Sequence, residues 1–122
     1  LRLMQHSADL AVQYFSFASS SAVYGESGVN QTEQDQTNPS SPYGLSKLMV
    51  DQALAYHMRR DSFIGTSLRF ANVYGPRQIG GVIPLFIKNA LNDQSLSVHA
   101  GNPTRDFVYV SDVVSAIERY NS

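Results

Sequence analysis

A chain of 122 residues with 43% hydrophobic and 16% charged residues is long enough to bury one core and has neither disordered nor fibrous composition. A net charge of −1 gives no basic field for nucleic acid, no apolar run reaches membrane-spanning length, and the lack of cysteine excludes disulfide and thiolate chemistry. With no secretory pattern at the start, the expected location is cytoplasmic.

In chain order, residues 1–11 read as the end of an amphipathic helix, with Leu3, Met4, Leu10 and Ala11 as its apolar positions. Tyr14 to Ala18 is a short aromatic-rich strand, and the serine triplet Ser19-Ser20-Ser21 follows as a corner. The polar stretch Glu26 to Ser41 is expected to be a solvated loop. Ser41-Pro42 signals a helix start, because serine caps free amides and proline at the first position loses no hydrogen bond. That helix should run to about Arg60, with Leu45, Leu48, Met49, Ala53 and Tyr56 facing a sheet.

Phe63 to Phe70 is the next expected strand, and Asn72 to Gly81 a loop punctuated by Gly75-Pro76 and Gly80-Gly81. Val82 to about Asn92 reads as a helix that tolerates Pro84 in its first turn. Short strands are expected at Leu96 to His99 and Phe107 to Val110, and a last helix capped by Ser111 runs toward Tyr120. Such alternation predicts a parallel α/β sheet with helical crossovers, whose ligands bind beyond the carboxyl ends of the strands.

The strongest chemical signal is the spacing of Tyr43 and Lys47 in Ser41-Pro42-Tyr43-Gly44-Leu45-Ser46-Lys47. Four residues is one helical turn, so phenol and ammonium share a face, and a nearby cation favours the phenolate. A serine at the end of a buried strand could bind the same substrate oxygen. The set suits removal of a proton from an alcohol while another group takes the hydride. Alone, such a pair reads sooner as an exposed helix face.

Three further blocks change that balance. They are Phe15-Ser16-Phe17-Ala18-Ser19-Ser20-Ser21-Ala22-Val23-Tyr24-Gly25, Leu68-Arg69-Phe70-Ala71-Asn72-Val73-Tyr74-Gly75-Pro76-Arg77, and Thr104-Arg105-Asp106-Phe107-Val108-Tyr109-Val110-Ser111-Asp112-Val113. With the tyrosine block, in this order, the chain from about Tyr14 onward resembles the extended short-chain dehydrogenase/reductase superfamily. It is most similar to the NAD-dependent epimerase/dehydratase group and its nucleotide-sugar 4-epimerases. The resemblance implies a partial Rossmann-like doubly wound parallel sheet, its second half, plus the start of a substrate-binding lobe. Residues 1–75 would complete the NAD-binding domain and residues 76–122 begin the substrate region.

The glycine-rich turn that such proteins use to hold the dinucleotide pyrophosphate at a helix start does not occur in this sequence. The chain therefore reads as an internal segment, and the activity expected is that of a longer parent. The segment alone is expected to be inactive and to release NAD.

The resemblance also implies residue roles. Tyr43 would be the catalytic acid and base. Lys47 would support it and bind the nicotinamide ribose, and Ser20 would hydrogen-bond the reacting sugar hydroxyl, with Ser21 also touching substrate. Ala18, Ser19, Phe70, Ala71 and Val73 would line the cofactor pocket, although Ser19 also suits a simple turn and Phe70 plain packing. Asn72 would bind the sugar-nucleotide diphosphate, or merely form a turn. Arg105 would grip phosphate or ribose, or pair with Asp106. Val98 could lie under the uracil ring, and Arg77 is a weaker phosphate candidate. His6, His57 and His99 are not spaced as metal ligands, so no metal is expected; His99 departs from the glycine usual there.

NAD and a nucleotide-diphosphate sugar, a UDP-sugar, are the implied ligands, and a homodimer the implied assembly. Dehydratases and decarboxylating relatives carry carboxylates directly after the serine, whereas this chain has Ser21-Ala22. That favours epimerisation or simple reduction over dehydration. A non-catalytic dinucleotide-binding protein and an inactive truncated product are the other readings.

Overall fold

The computed structural model describes residues 2–26, 30–60, 63–98 and 104–120. They form two compact units, one reaching to Phe70 and the other running from Ala71 to Tyr120.

In the first unit, α1 (Arg2–Asp9) precedes β1 (Tyr14–Ser20), a 3-10 turn at Ser21–Tyr24, the long α2 (Pro42–Arg60) and β2 (Ile64–Phe70). β1 and β2 pair in parallel, Tyr14 against Ile64 through Ser20 against Phe70, with α2 as the crossover. β1 is longer than the sequence suggested: Ser19 and Ser20 continue its ladder, and only Ser21 enters the turn. α1 stops at Asp9; Met4 is buried, whereas Leu3 and Leu10 are exposed.

The start of α2 is as the sequence indicates. Ser41 Oγ accepts the Gly44 amide at 3.0 Å, satisfying one of the free donors of the first turn. Its buried face is the expected one only in part: Leu48 and Ala53 are half-buried, and Ala53 packs on the core. Gly44, Asp51, Leu54 and His57 point inward, whereas Leu45, Met49 and Tyr56 are 51%, 64% and 51% exposed. Two polar residues occupy the inner stripe, so counting apolar positions shifts the expected face toward Leu45, Met49 and Tyr56.

Period-two alternation places Phe15, Phe17 and Ser19 of β1, and Gly65, Ser67 and Arg69 of β2, on the face toward α2. Met4, Leu54 and Phe63 form the core, flanked by Ala8, Phe15, Phe17, Val50 and Ala53. Gly65 makes room for α2: a Cβ would lie 2.8 Å from Leu54 Cδ1 and 2.9 Å from the Met58 sulfur, so those side chains would have to shift.

The second unit contains β3 (Asn72–Tyr74), α3 (Val82–Leu91), β4 (Phe107–Tyr109) and α4 (Val110–Tyr120). β3 and β4 pair in parallel, Asn72 with Phe107 and Tyr74 with Tyr109. Asn72 to Tyr74, expected as loop, is thus a short strand. The strand expected at Leu96 to His99 is absent over 94–98, and His99 lies outside the described residues. Ser111 does not cap α4 but is its second residue. The parallel strands therefore occur as two pairs, β1–β2 and β3–β4. Among the described residues no helix is long and apolar enough to cross a membrane.

Candidate active site

At the carboxyl end of β1 the chain turns sharply. Ser20 is extended and its Oγ accepts the Ala22 amide at 3.2 Å, capping the 3-10 turn. The Ser20 hydroxyl hydrogen remains available for a second partner. Val23 and Tyr24 anchor the turn inside the unit.

The first turn of α2 is pressed directly onto this corner. A Cβ on Gly44 would run into the Ala22 carbonyl, and would stand 3.1 Å from Pro39 Cβ. Only glycine allows the two backbones to approach so closely. Tyr43, next in line, is 57% exposed and so open to a ligand. Lys47, one turn on, donates to the Ala18 carbonyl at 2.8 Å. Its Nζ stands 5.0 Å from the Phe17 ring centroid and 5.6 Å from that of Tyr43. The lysine therefore ties α2 to β1 while keeping its charge beside the phenol ring.

Ser19 is 4% exposed, and its Oγ has no hydrogen-bond partner among the described residues. Phe70 pairs with Ser20 across the ladder and is half-buried. The first unit thus gathers Ala18, Ser19, Ser20, Ser21, Tyr43, Lys47 and Phe70 around the ends of β1 and β2 and the first turns of α2.

In the second unit, Asn72, Val73 and Arg105 line one cavity of about 340 Å³, with Gln78, Gly81, Val82 and Phe107. Asn72 donates both its backbone amide and its Nδ2 to the Asp106 carbonyl, each at 3.0 Å, which fixes it beside the Arg105 segment. Arg105 donates to the Thr104 carbonyl at 2.9 Å rather than pairing with Asp106. Gly81 leads into α3 with no side-chain cap, and Gly81, Val82 and Ile83 also line this cavity. Val98 is 67% exposed and is not part of the cavity wall. Ala71 precedes β3 and is half-buried. Arg77, at φ 68°, is an exposed loop residue outside this wall.

Sequence reasoning passed over Gly44, although it stands between the two marked residues of the tyrosine block. It also passed over a polar bridge beneath them. Asp51, four residues after Lys47, accepts hydrogen bonds from Ser67 Oγ and from Arg69 Nε, the latter at 3.0 Å. Arg69 Nη1 donates to Tyr24 Oη at 2.7 Å, and its guanidinium carbon lies 5.0 Å from that ring's centroid. Burial pulls the Arg69 guanidinium down; the hydrogen bonds to Tyr24 and Asp51 and their charges outweigh it, holding the group above its ordinary value and charged. A charged residue inside the apolar run around Leu68 and Phe70 was the available signal.

A parallel βαβ unit with tyrosine and lysine one turn apart over a serine corner defines a dinucleotide-dependent class of α/β proteins. The family model described as the NAD dependent epimerase/dehydratase family matches residues 1–120, and the chain belongs to that family. A candidate UDP-glucose 4-epimerase of Methanocaldococcus jannaschii is 44% identical over 107 residues, covering 82% of this chain and 35% of that protein. A dTDP-4-dehydro-6-deoxyglucose reductase of Escherichia coli is 37% identical, over 82% of this chain and 34% of its own length.

Among solved structures, the UDP-N-acetylglucosamine 4-epimerase of Methanobrevibacter ruminantium, in complex with UDP-N-acetylmuramic acid, superposes with a TM-score of 0.87. It is 32% identical, over 94% of this chain and 39% of its own. The UDP-glucose 4-epimerase of Thermus thermophilus in complex with NAD gives 0.82 at 29% identity, over 95% and 42%. The fold is therefore the Rossmann type of these epimerases over a partial region. The chain spans a little over a third of the length of the curated relatives it matches.

Proposed function

We propose that these residues belong to an NAD-dependent nucleotide-sugar 4-epimerase and supply its proton-transfer set. The observation that carries this reading is the close seating of the α2 start on the serine corner, with Tyr43 open and Lys47 held on Ala18. Residues 1–75 would complete the cofactor domain and residues 76–122 begin the substrate region; the compact units divide nearby, after Phe70.

The residues present suit the nicotinamide end of the cofactor. Lys47 offers an ammonium to ribose hydroxyls, and the buried Ser19 hydroxyl, without a hydrogen-bond partner among the described residues, lies in the same corner. Ala18, Phe70, Ala71 and Val73 would supply the apolar surroundings. Bound NAD would supply the hydride acceptor and donor.

The chain's own residues do the rest. Tyr43 Oη takes the proton of the sugar 4-hydroxyl as the 4-keto sugar forms, and returns it on the reverse step. Lys47 holds positive charge beside that ring throughout. Ser20, already accepting the Ala22 amide, donates its own proton toward the sugar oxygen and orients it. Ser21 stands next to it on the turn. Asn72 and Arg105, which share a cavity with the start of α3, suit the diphosphate of a UDP-sugar. Val98 is left with a peripheral contact at most.

A reductase is the second reading, favoured by the 37% identity to the Escherichia coli enzyme. The absence of a carboxylate at Ser21-Ala22 counts against dehydration. We further assign the exposed stripe of Leu45, Met49 and Tyr56 to contact with a second copy in the complete protein.

The test is to follow interconversion of UDP-glucose and UDP-galactose, and of their N-acetylated and uronate counterparts, by the complete protein that carries these residues. Tyr43→Phe should lower turnover by about 10²–10⁴-fold with NAD still bound. Net consumption of reduced cofactor with a 4-keto sugar, and no epimerisation, would establish the reductase instead. Near-normal turnover by Tyr43→Phe refutes the assignment.

A further inference from the structure

The polar bridge beneath the corner links the three segments that carry the proposed chemistry, and its members have no place in the proton transfer itself. Asp51 lies on α2, four residues beyond Lys47 and eight beyond Tyr43. Ser67 and Arg69 stand two apart on β2, hence on one face of the strand, and both donate to the Asp51 carboxylate. Arg69 then reaches across to Tyr24, the last residue of the turn that opens at Ser21. One guanidinium thus joins helix, strand and serine turn, using Nε for one partner and Nη1 for the other.

Asp51 and Tyr24 are each 6% exposed, so the bridge is built into the interior. Burying such charges is a poor route to stability, because apolar side chains of the same volume serve as well or better. Hydrogen bonds of fixed direction do something apolar packing does not: they set the angle and register between elements. Beside the Gly44–Ala22 contact and the Lys47–Ala18 hydrogen bond, the bridge adds a directional link from α2 to the turn itself.

We propose that Asp51, Arg69 and Tyr24 are positioning residues that lock the serine turn to the tyrosine-bearing helix. The inference rests on the epimerase reading for its catalytic consequence, but its structural half stands without it. Arginine is required at 69, since lysine reaches one partner and not both. Tyr24 is required for its hydroxyl and not only its ring.

The experiment is Tyr24→Phe in the complete protein. It removes one oxygen while keeping the ring under the guanidinium and the Arg69–Asp51 pair. Three quantities are read: amide hydrogen exchange of the segments 20–25 and 42–47, the midpoint of thermal unfolding, and kcat with KM for the nucleotide sugar. The expected result is exchange in 20–25 faster by about tenfold, an unfolding midpoint within about 2 °C of the parent, and kcat lower by about tenfold at unchanged KM and NAD content.

Arg69→Lys should reproduce this pattern and replaces Tyr24→Phe if that variant does not fold. Unchanged exchange in 20–25 overturns the bridge whatever kcat does. Faster exchange with unchanged kcat in an active enzyme overturns its positioning role. A fall in the unfolding midpoint with normal kcat per folded molecule, or failure of both variants to fold, reduces the bridge to a stability element and also overturns it. If the parent epimerises no sugar, the epimerase reading fails, while the exchange result still decides whether the turn is locked through Arg69.

Discussion

Gly44→Ala is the sharpest perturbation available, because it adds a single methyl group where two backbones meet. The added carbon would fall on the Ala22 carbonyl at a separation that real Cβ atoms do not adopt. The obstacle is main chain, so it cannot rotate away, and Pro39 blocks the flank at 3.1 Å. The first turn of α2 must back off by about 1 Å to restore ordinary van der Waals contact. Overpacking of this kind costs about 1–3 kcal/mol, while alanine in place of glycine regains up to about 1 kcal/mol of helix propensity. The net loss of stability is therefore about 0–3 kcal/mol.

The effect on chemistry is larger. Tyr43 is carried on the displaced turn, and a misplacement of about 1 Å is enough to cost about 100-fold in rate. Gly44→Ala in the complete protein should unfold within a few degrees of the parent by circular dichroism. Its kcat for UDP-sugar epimerisation should fall by about two orders of magnitude, with NAD retained. A variant that turns over within about threefold of the parent would refute the claim that this contact sets the reacting geometry.

Leu54→Ala should destabilise by about 2–5 kcal/mol in chemical denaturation, because Leu54 is 2% exposed at the centre of the core. Arg105→Ala should raise KM for the nucleotide sugar by about 10–100-fold with little change in kcat, as expected for loss of a charge-assisted phosphate contact of about 1.5–3 kcal/mol; steady-state kinetics measures it. Met49→Asp, on the open stripe of α2, should shift the complete protein toward monomer in sedimentation velocity while its thermal unfolding becomes concentration-independent.

The start of α2 was legible because it depends on local chemistry, Ser41 with Pro42, and the helix runs to Arg60 as expected. Its orientation was legible only in part, through Leu48 and Ala53. Leu45, Met49 and Tyr56 form a better apolar stripe than the buried face, where Asp51 and His57 stand. Asp51 is accommodated only because Ser67 and Arg69, sixteen and eighteen residues away, come to meet it. No helical periodicity carries that information.

β3 was missed for a related reason. Asn72 is an ordinary turn former, and a three-residue strand becomes visible only through its partner at Phe107. Tyr43, Lys47 and the serines could be singled out from the sequence because their signals lie within single segments. Gly44 was overlooked because its requirement comes from the Ala22 backbone, far off in sequence.

Gly25, with φ 80°, leaves room for the Asn38 carbonyl against its Cα, and the Asn38 amide returns a bond to Val23 at 3.0 Å. The connection between serine corner and tyrosine helix is thereby stapled at its far end before the helix begins. A change in length between 30 and 37 is therefore not transmitted to Tyr43. Lengthening the chain between 30 and 37 would cost only the slow logarithmic entropy of a larger ring, about 0.6 kcal/mol per doubling. That makes this segment a natural docking point for a reporter dye or an affinity tag.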